Sequence, residues 1–346
     1  MAAAYIKWLR DVNFASQSGC PPNLAPNYGH HRPPPDSSRG EDIATPIPTC
    51  HTPPAWAAAF VLVWDWTWRT YDDRGLATEH YDHARAYLDS IYPTVDDTTG
   101  VVPAHWSTLG DWCAALGVNG TGGDCRSTTG RDPGNLGDPS TCFETKHVTG
   151  IQNTFYFVRT HEAWLRAHAA LGRPEAEAVV YRQRLAAARN GFNSVFFDNV
   201  CSYVDGAITE NLTTYKRYGL ASLQTSLALA LEMGVTKTAA SGSDATAAVQ
   251  AALRYDVEET MGGRMSTGLI GTRYLLGALS DAGGVDTAIG LLTNKQDPSW
   301  TYMLDQGPGT LWEQFLGNKS WARARGSLNH VSLYHGIYNS ALPLCA

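Results

Sequence analysis

Apolar residues recur at three- and four-residue spacing along most of the chain. The pattern predicts helices over 2–14, 55–71, 77–92, 144–171, 174–192, 218–233, 244–260, 267–281, 285–293 and 330–341. Stop signals stand at several of their ends: Gly172-Arg173-Pro174, Gly234, Gly283-Gly284 and Asp297-Pro298. No stretch alternates strictly enough to require a large sheet. The connections are unequal: residues 19–54 and 117–142 are long and rich in Pro, Gly, Asp and Thr, whereas 172–174 and 283–284 are tight. In an all-helical chain, this alternation fits hairpins packed around a ring. Short turns would lie on one rim, and long loops would build a cleft on the other. No exact solenoid-type repeat is present, although periodicity alone also permits a solenoid or a bundle.

Composition narrows the partners. The 346 residues form a single domain, 1–346, if the ring is the right architecture. A formal charge of −7 disfavours nucleic acid and anionic membrane surfaces, both of which need a basic face. The most apolar run, Phe60-Val61-Leu62-Val63-Trp64, is too short to span a bilayer and continues into polar sequence. Eleven Trp and sixteen Tyr stand against nine Phe, a balance that suits surfaces gripping sugar rings, though core packing accounts for most of them. Seven cysteines leave at least one without an intrachain partner. Their places beside long loops, and the sequons at Asn119, Asn211 and Asn318, point to an extracellular or secretory setting. Residues 1–12 read as an amphipathic helix rather than as a leader.

Candidate chemistry clusters around aromatic residues. Glu313 follows Trp312, just after the Gly307-Pro308-Gly309 turn, where partial burial would tune a carboxyl for proton transfer. The same position also suits a first-turn glutamate favoured by the helix dipole. Gly110-Asp111-Trp112 offers a carboxylate and an indole to a sugar, or an N-cap followed by a core Trp. Trp56, after Pro54-Ala55, and His330, after Ser327-Leu328-Asn329, each allow a ligand contact or a structural role. Tyr71-Asp72-Asp73 and Val95-Asp96-Asp97 read as solvated helix ends. Phosphate loops, dinucleotide fingerprints and nucleophile elbows are missing from the sequence. The His30, His31 and His51 spacing near Cys20 and Cys50 fits no zinc site, so neither cofactor nor metal is expected.

Several segments together carry more than any one alone. Lys7–Asp11, Pro54-Ala55-Trp56, Gly110-Asp111-Trp112, Thr149–Thr154 (TGIQNT), Ser266–Thr272 (STGLIGT), Pro298-Ser299-Trp300, Thr310–Glu313 (TLWE) and Ser327–His330 (SLNH) occur in this order. In that series the chain resembles the catalytic domain of the bacterial-type α-L-rhamnosidases, inverting glycoside hydrolases. The resemblance implies an all-α (α/α)6 six-hairpin barrel, and it implies rhamnose-containing glycosides or polysaccharides as partners. It makes Glu313 the general base, and Trp56, Trp112 and His330 contacts of the rhamnose subsite, with Asp111, Trp300 and Trp312 as supports.

The sequence departs from the family in two places. The Asp-Glu-Arg-Leu-Gly-Trp-like motif that carries the general acid has no counterpart in these 346 residues. Ala57 and Ala58 follow Trp56 where relatives often have Gly-Asp. The expectation is a chain truncated before its first hairpin, lacking accessory β-domains, with an incomplete ring prone to self-association. A non-catalytic carbohydrate-binding remnant and another six-hairpin glycosidase are the alternatives.

Overall fold

The computed structural model describes residues 54–103, 111, 149–197, 199, 223–238, 242–296 and 299–306. The seven cysteines, the three sequons and the expected helices 2–14 and 330–341 lie outside them. The chain divides into two compact units, with the division running through two of its helices. The first unit holds residues 1–107 and 156–188, and the second 108–155 and 189–346.

In the first unit, α1 (Pro54–Ala57) and α2 (Ala59–Thr70) lead into α3 (Arg74–Ile91). The α2–α3 turn works through Asp72, which adopts φ 47°, and through Asp73, whose carboxylate accepts from Leu76 N at 2.9 Å. That bond satisfies one of the orphan donors at the start of α3. The second hairpin joins α4 (Thr149–Ala170) to α5 (Glu175–Phe196). Gly172, at φ 63°, ends α4, and Arg173 N returns to His168 O at 3.2 Å. A left-handed residue closing a helix in this way favours glycine.

The core of this unit is aromatic. Tyr81 stacks on Trp164 at 5.1 Å between centroids, and Trp164 meets Tyr181 at 4.4 Å. Some polar tips are paired within it: Tyr81 Oη and His168 Nδ1 share a 2.6 Å hydrogen bond, and Trp64 Nε1 donates to Leu76 O. Buried Asp65 takes Arg166 through both oxygens at 2.8 and 3.3 Å, with Arg69 at 3.2 Å. Outside the core, Asp89 pairs with Arg184 at 2.7 Å while accepting from Tyr181 Oη.

In the second unit, α6 (Leu223–Met233) and α7 (Thr246–Tyr255) form one hairpin, α8 (Leu269–Asp281) and α9 (Val285–Thr293) another, and α10 (Trp300–Gln306) follows. Burial separates the helices of each pair. α6 is covered almost all round, from Gln224 to Ala230, whereas α7 buries only Val249 and Leu253. α8 buries Ile270, Leu275, Leu276 and Leu279, while α9 buries Ala288 and Leu291 alone. A helix buried on every side is a central element, and one with a single apolar stripe is a cover. α6 and α8 lie alongside each other, which makes them the unit's shared core.

The expected helices fall close to the observed ones within the described residues. α10 is the exception, since Pro298–Gln306 shows no helical period long enough to be counted. Its start signal is local: Ser299 Oγ accepts from Tyr302 N at 3.0 Å, as an N-cap serine does. The helix expected over 244–260 ends in a π-turn, Asp256–Thr260, rather than continuing as α-helix.

Candidate functional site

The site is best built from the start of α8. A helix leaves its first backbone N–H groups without intrahelical partners, and the N-cap residue here, Gly268, has no side chain to supply one. The partner comes from far along the chain. Asp111 Oδ2 accepts from Gly268 N at 2.7 Å, and Oδ1 accepts from Ile270 N at 2.8 Å and Gly271 N at 3.1 Å. The fourth donor is Thr225 Oγ1, in the first turn of α6, onto Oδ2. One carboxylate thus ties the starts of α6 and α8 together.

Asp111 is 0% exposed, and burial pushes its carboxyl up from the ordinary value. The four donors pull the other way. Three are backbone N–H groups that can only donate, an arrangement that favours the ionised form. The positive end of the α8 dipole favours the same form. Close packing depends on Gly271, because a Cβ there would fall on Thr225 Oγ1 and come within 2.8 Å of Thr225 Cβ and Thr267 Cγ2.

Gln224, beside Thr225, clamps the segment entering α8. Its Nε2 donates to Arg264 O at 3.1 Å, and its Oε1 accepts from Ser266 N at 2.9 Å. Thr267 and Thr272 share a 2.8 Å hydroxyl bond across the same start. Behind Gln224 lies Asp256, the first residue of the π-turn, pushed up to about 6 by burial and eased back by the Gln224 amide. Its Oδ2 has no hydrogen-bond partner among the described residues. Polar groups in such a buried cluster have well-defined roles, since an unmet one costs about 1–3 kcal/mol.

Residues 1–339 match the family model described as the bacterial alpha-L-rhamnosidase 6 hairpin glycosidase domain. The chain belongs to this family of glycoside hydrolases. An alpha-L-rhamnosidase from Formosa agariphila is 25% identical over 279 residues, a match covering 79% of this chain and 25% of the relative. The chain therefore spans about a quarter of that relative's length. The structure of alpha-L-rhamnosidase from Dictyoglumus thermophilum superposes with a TM-score of 0.67 at 21% identity, covering 97% of this chain and 30% of the other. The Streptomyces avermitilis alpha-L-rhamnosidase, solved in complex with L-rhamnose, gives a TM-score of 0.58 at 21% identity over 90% of this chain and 23% of the other. These likenesses show the fold: all-α, of the six-hairpin barrel class.

Within this six-hairpin domain, two of the residues singled out from sequence have described side chains. Asp111 is the buried tie just set out, with its oxygens occupied by protein donors. Trp300 is the first residue of α10 and is buried, and its Nε1 has no hydrogen-bond partner among the described residues. Trp56 lies within α1. Trp112, Trp312, Glu313 and His330 lie outside the described residues. Sequence reasoning gave no role to Gln224 or Thr225, although two adjacent polar residues at the head of the apolar run LALALEM were the available signal. Asp256 likewise sat unnoticed inside an expected helix.

Proposed function

We infer that the chain is a catalytic module for hydrolysing terminal α-L-rhamnosides with inversion, Glu313 acting as the general base that activates water and the general acid missing from this chain. The observation carrying this reading is the family match over residues 1–339, nearly the whole chain. Trp56, Trp112 and His330 would contact the sugar. Trp300 and Trp312 would support that subsite, and Asp111 would act through the helix starts it ties. Inversion requires a water between base and anomeric carbon, so acid and base stand roughly 6.5–9.5 Å apart. A gap of that size is too wide for a single short motif, so the acid must come from a separate segment. No part of this sequence matches the family's acid motif.

Losing a general acid costs about 10²–10⁴-fold, and most where the leaving group needs a proton. The chain should therefore release 4-nitrophenol from its α-L-rhamnoside and turn over natural rhamnosides negligibly. The first sugar product should be the β-anomer by NMR, and Glu313→Gln should abolish release. Equal turnover of both substrate types would show an acid within the chain. Binding of L-rhamnose with no cleavage of either would favour the non-catalytic reading, which the missing motif already supports.

A further inference from the structure

We propose that Gln152 contacts the sugar in this domain, its carboxamide pairing with hydroxyls of a neutral pyranose. The inference rests on the rhamnoside reading above. Gln152 sits in the first turn of α4 and is 0% exposed, as are its neighbours Ile151, Asn153 and Thr154. Neither its Nε2 nor its Oε1 has a hydrogen-bond partner among the described residues. One turn on, Phe155 meets the Tyr274 ring edge-on at 5.0 Å, so this part of α4 packs against α8.

The contrast with Gln224 is informative. Both are buried glutamines of the second unit, and Gln224 spends its donor and its acceptor on Arg264 O and Ser266 N. Gln152 holds two donor hydrogens and an acceptor oxygen out of water with no partner among the described residues, an arrangement that protein interiors rarely retain without a purpose. A ligand supplying both a donor and an acceptor would complete it. Sugar hydroxyls do both, whereas an anion would meet the carboxamide oxygen and a cation its N–H groups. Ser266 Oγ and Trp300 Nε1 are two further buried groups of this unit without partners among the described residues, and both stand at helix starts. A site whose polar groups are left unpaired by the wrong ligand also discriminates strongly among sugars.

Titrating L-rhamnose calorimetrically into the full 346-residue chain, as wild type and as Gln152→Met and Gln152→Glu, tests this. Methionine keeps the shape and removes every polar atom. Gln152→Met should melt no lower than wild type without sugar, yet bind L-rhamnose at least about tenfold more weakly, the loss of one well-made polar contact. Gln152→Glu keeps the acceptor and loses the donor, and should also weaken binding. Unchanged affinity in Gln152→Met overturns the proposal, as does a melting point well below wild type or failure to fold, because either means the carboxamide is satisfied inside the protein. A wild-type chain that binds no L-rhamnose would count instead against the rhamnoside reading, and the sugar-free melts still report on the carboxamide.

Discussion

Asp73 and Asp111 each cap a helix, one in each unit, and they do so in opposite ways. Asp73 caps α3 from within its own turn, accepting from Leu76 N three residues on, and stays exposed. Asp111 caps α8 from a chain distance of 157 residues, buried, with four donors upon it. The first bond is local chemistry that the backbone meets wherever α3 forms. The second exists only when a distant loop, α6 and α8 have all come together. The start of α3 is thus built locally, whereas the start of α8 depends on a buried carboxylate from far along the chain.

The largest test of that difference is Asp111→Ala. It strands three backbone N–H groups and the Thr225 hydroxyl in the interior, and should lower stability by about 3–5 kcal/mol, the range for removing one member of a buried charged network. Urea unfolding followed by circular dichroism measures it. Hydrogen exchange should show the loss at the first turns of α6 and α8 together. Protection lost at α8 alone would mean that the two starts are not coupled through this carboxylate.

Buried titratable groups give a second, smaller test in which the units have opposite signs. In the first unit, burial holds His161 down to about 4, with its Nδ1–H donating to Phe157 O at 2.8 Å. The unfolded chain takes up that proton near 6.5, so this stability is present above pH 6.5 and lost as pH falls towards 4. In the second unit, Asp256 is raised to about 6 from 3.8, so its contribution is present below pH 3.8 and lost as pH rises through 6. Each shift corresponds to on the order of 3 kcal/mol across its window, so the two nearly cancel between pH 4 and 6. Asp256→Asn should stabilise the protein at pH 7 and expose the acid sensitivity of His161. His161→Gln should remove that sensitivity and leave a protein that gains stability on acidification. Urea midpoints at pH 4.5, 5.5 and 7 distinguish the two, and parallel slopes in both variants would refute the assignment.

The same contrast explains how much was legible beforehand. Helix periods, the glycine stops at Gly172 and Gly283, and the solvated aspartates near 72 and 96 are consequences of local backbone chemistry, which a sequence displays. Asp96 illustrates this, folding its carboxylate onto Thr98 N and Thr99 N within its own turn. α10 escaped because seven residues hold less than two full periods, although Ser299 marked its start. Asp111 could be suspected as a cap, but nothing in Gly-Asp-Trp says that the helix it caps begins at residue 269. Gln152 stood in the TGIQNT segment without a role, because a buried carboxamide with no partner among the described residues becomes visible only once burial and neighbours are known.

Asp73→Ala is the smallest effect expected, and it sets the other end of the scale. Loss of an exposed N-cap side chain costs about 1 kcal/mol, since water replaces much of what the carboxylate gave. The change should fray the first turn of α3, raising exchange at Leu76 and Ala77 while leaving the α4 and α5 amides of the same unit protected. Aspartate and asparagine are comparable caps, so Asp73→Asn should restore most of the loss. At position 111 the same substitution should restore little, because an amide nitrogen would face donors that need an acceptor. A pair of asparagine variants that behave alike at both positions would remove the distinction between a local cap and a long-range one.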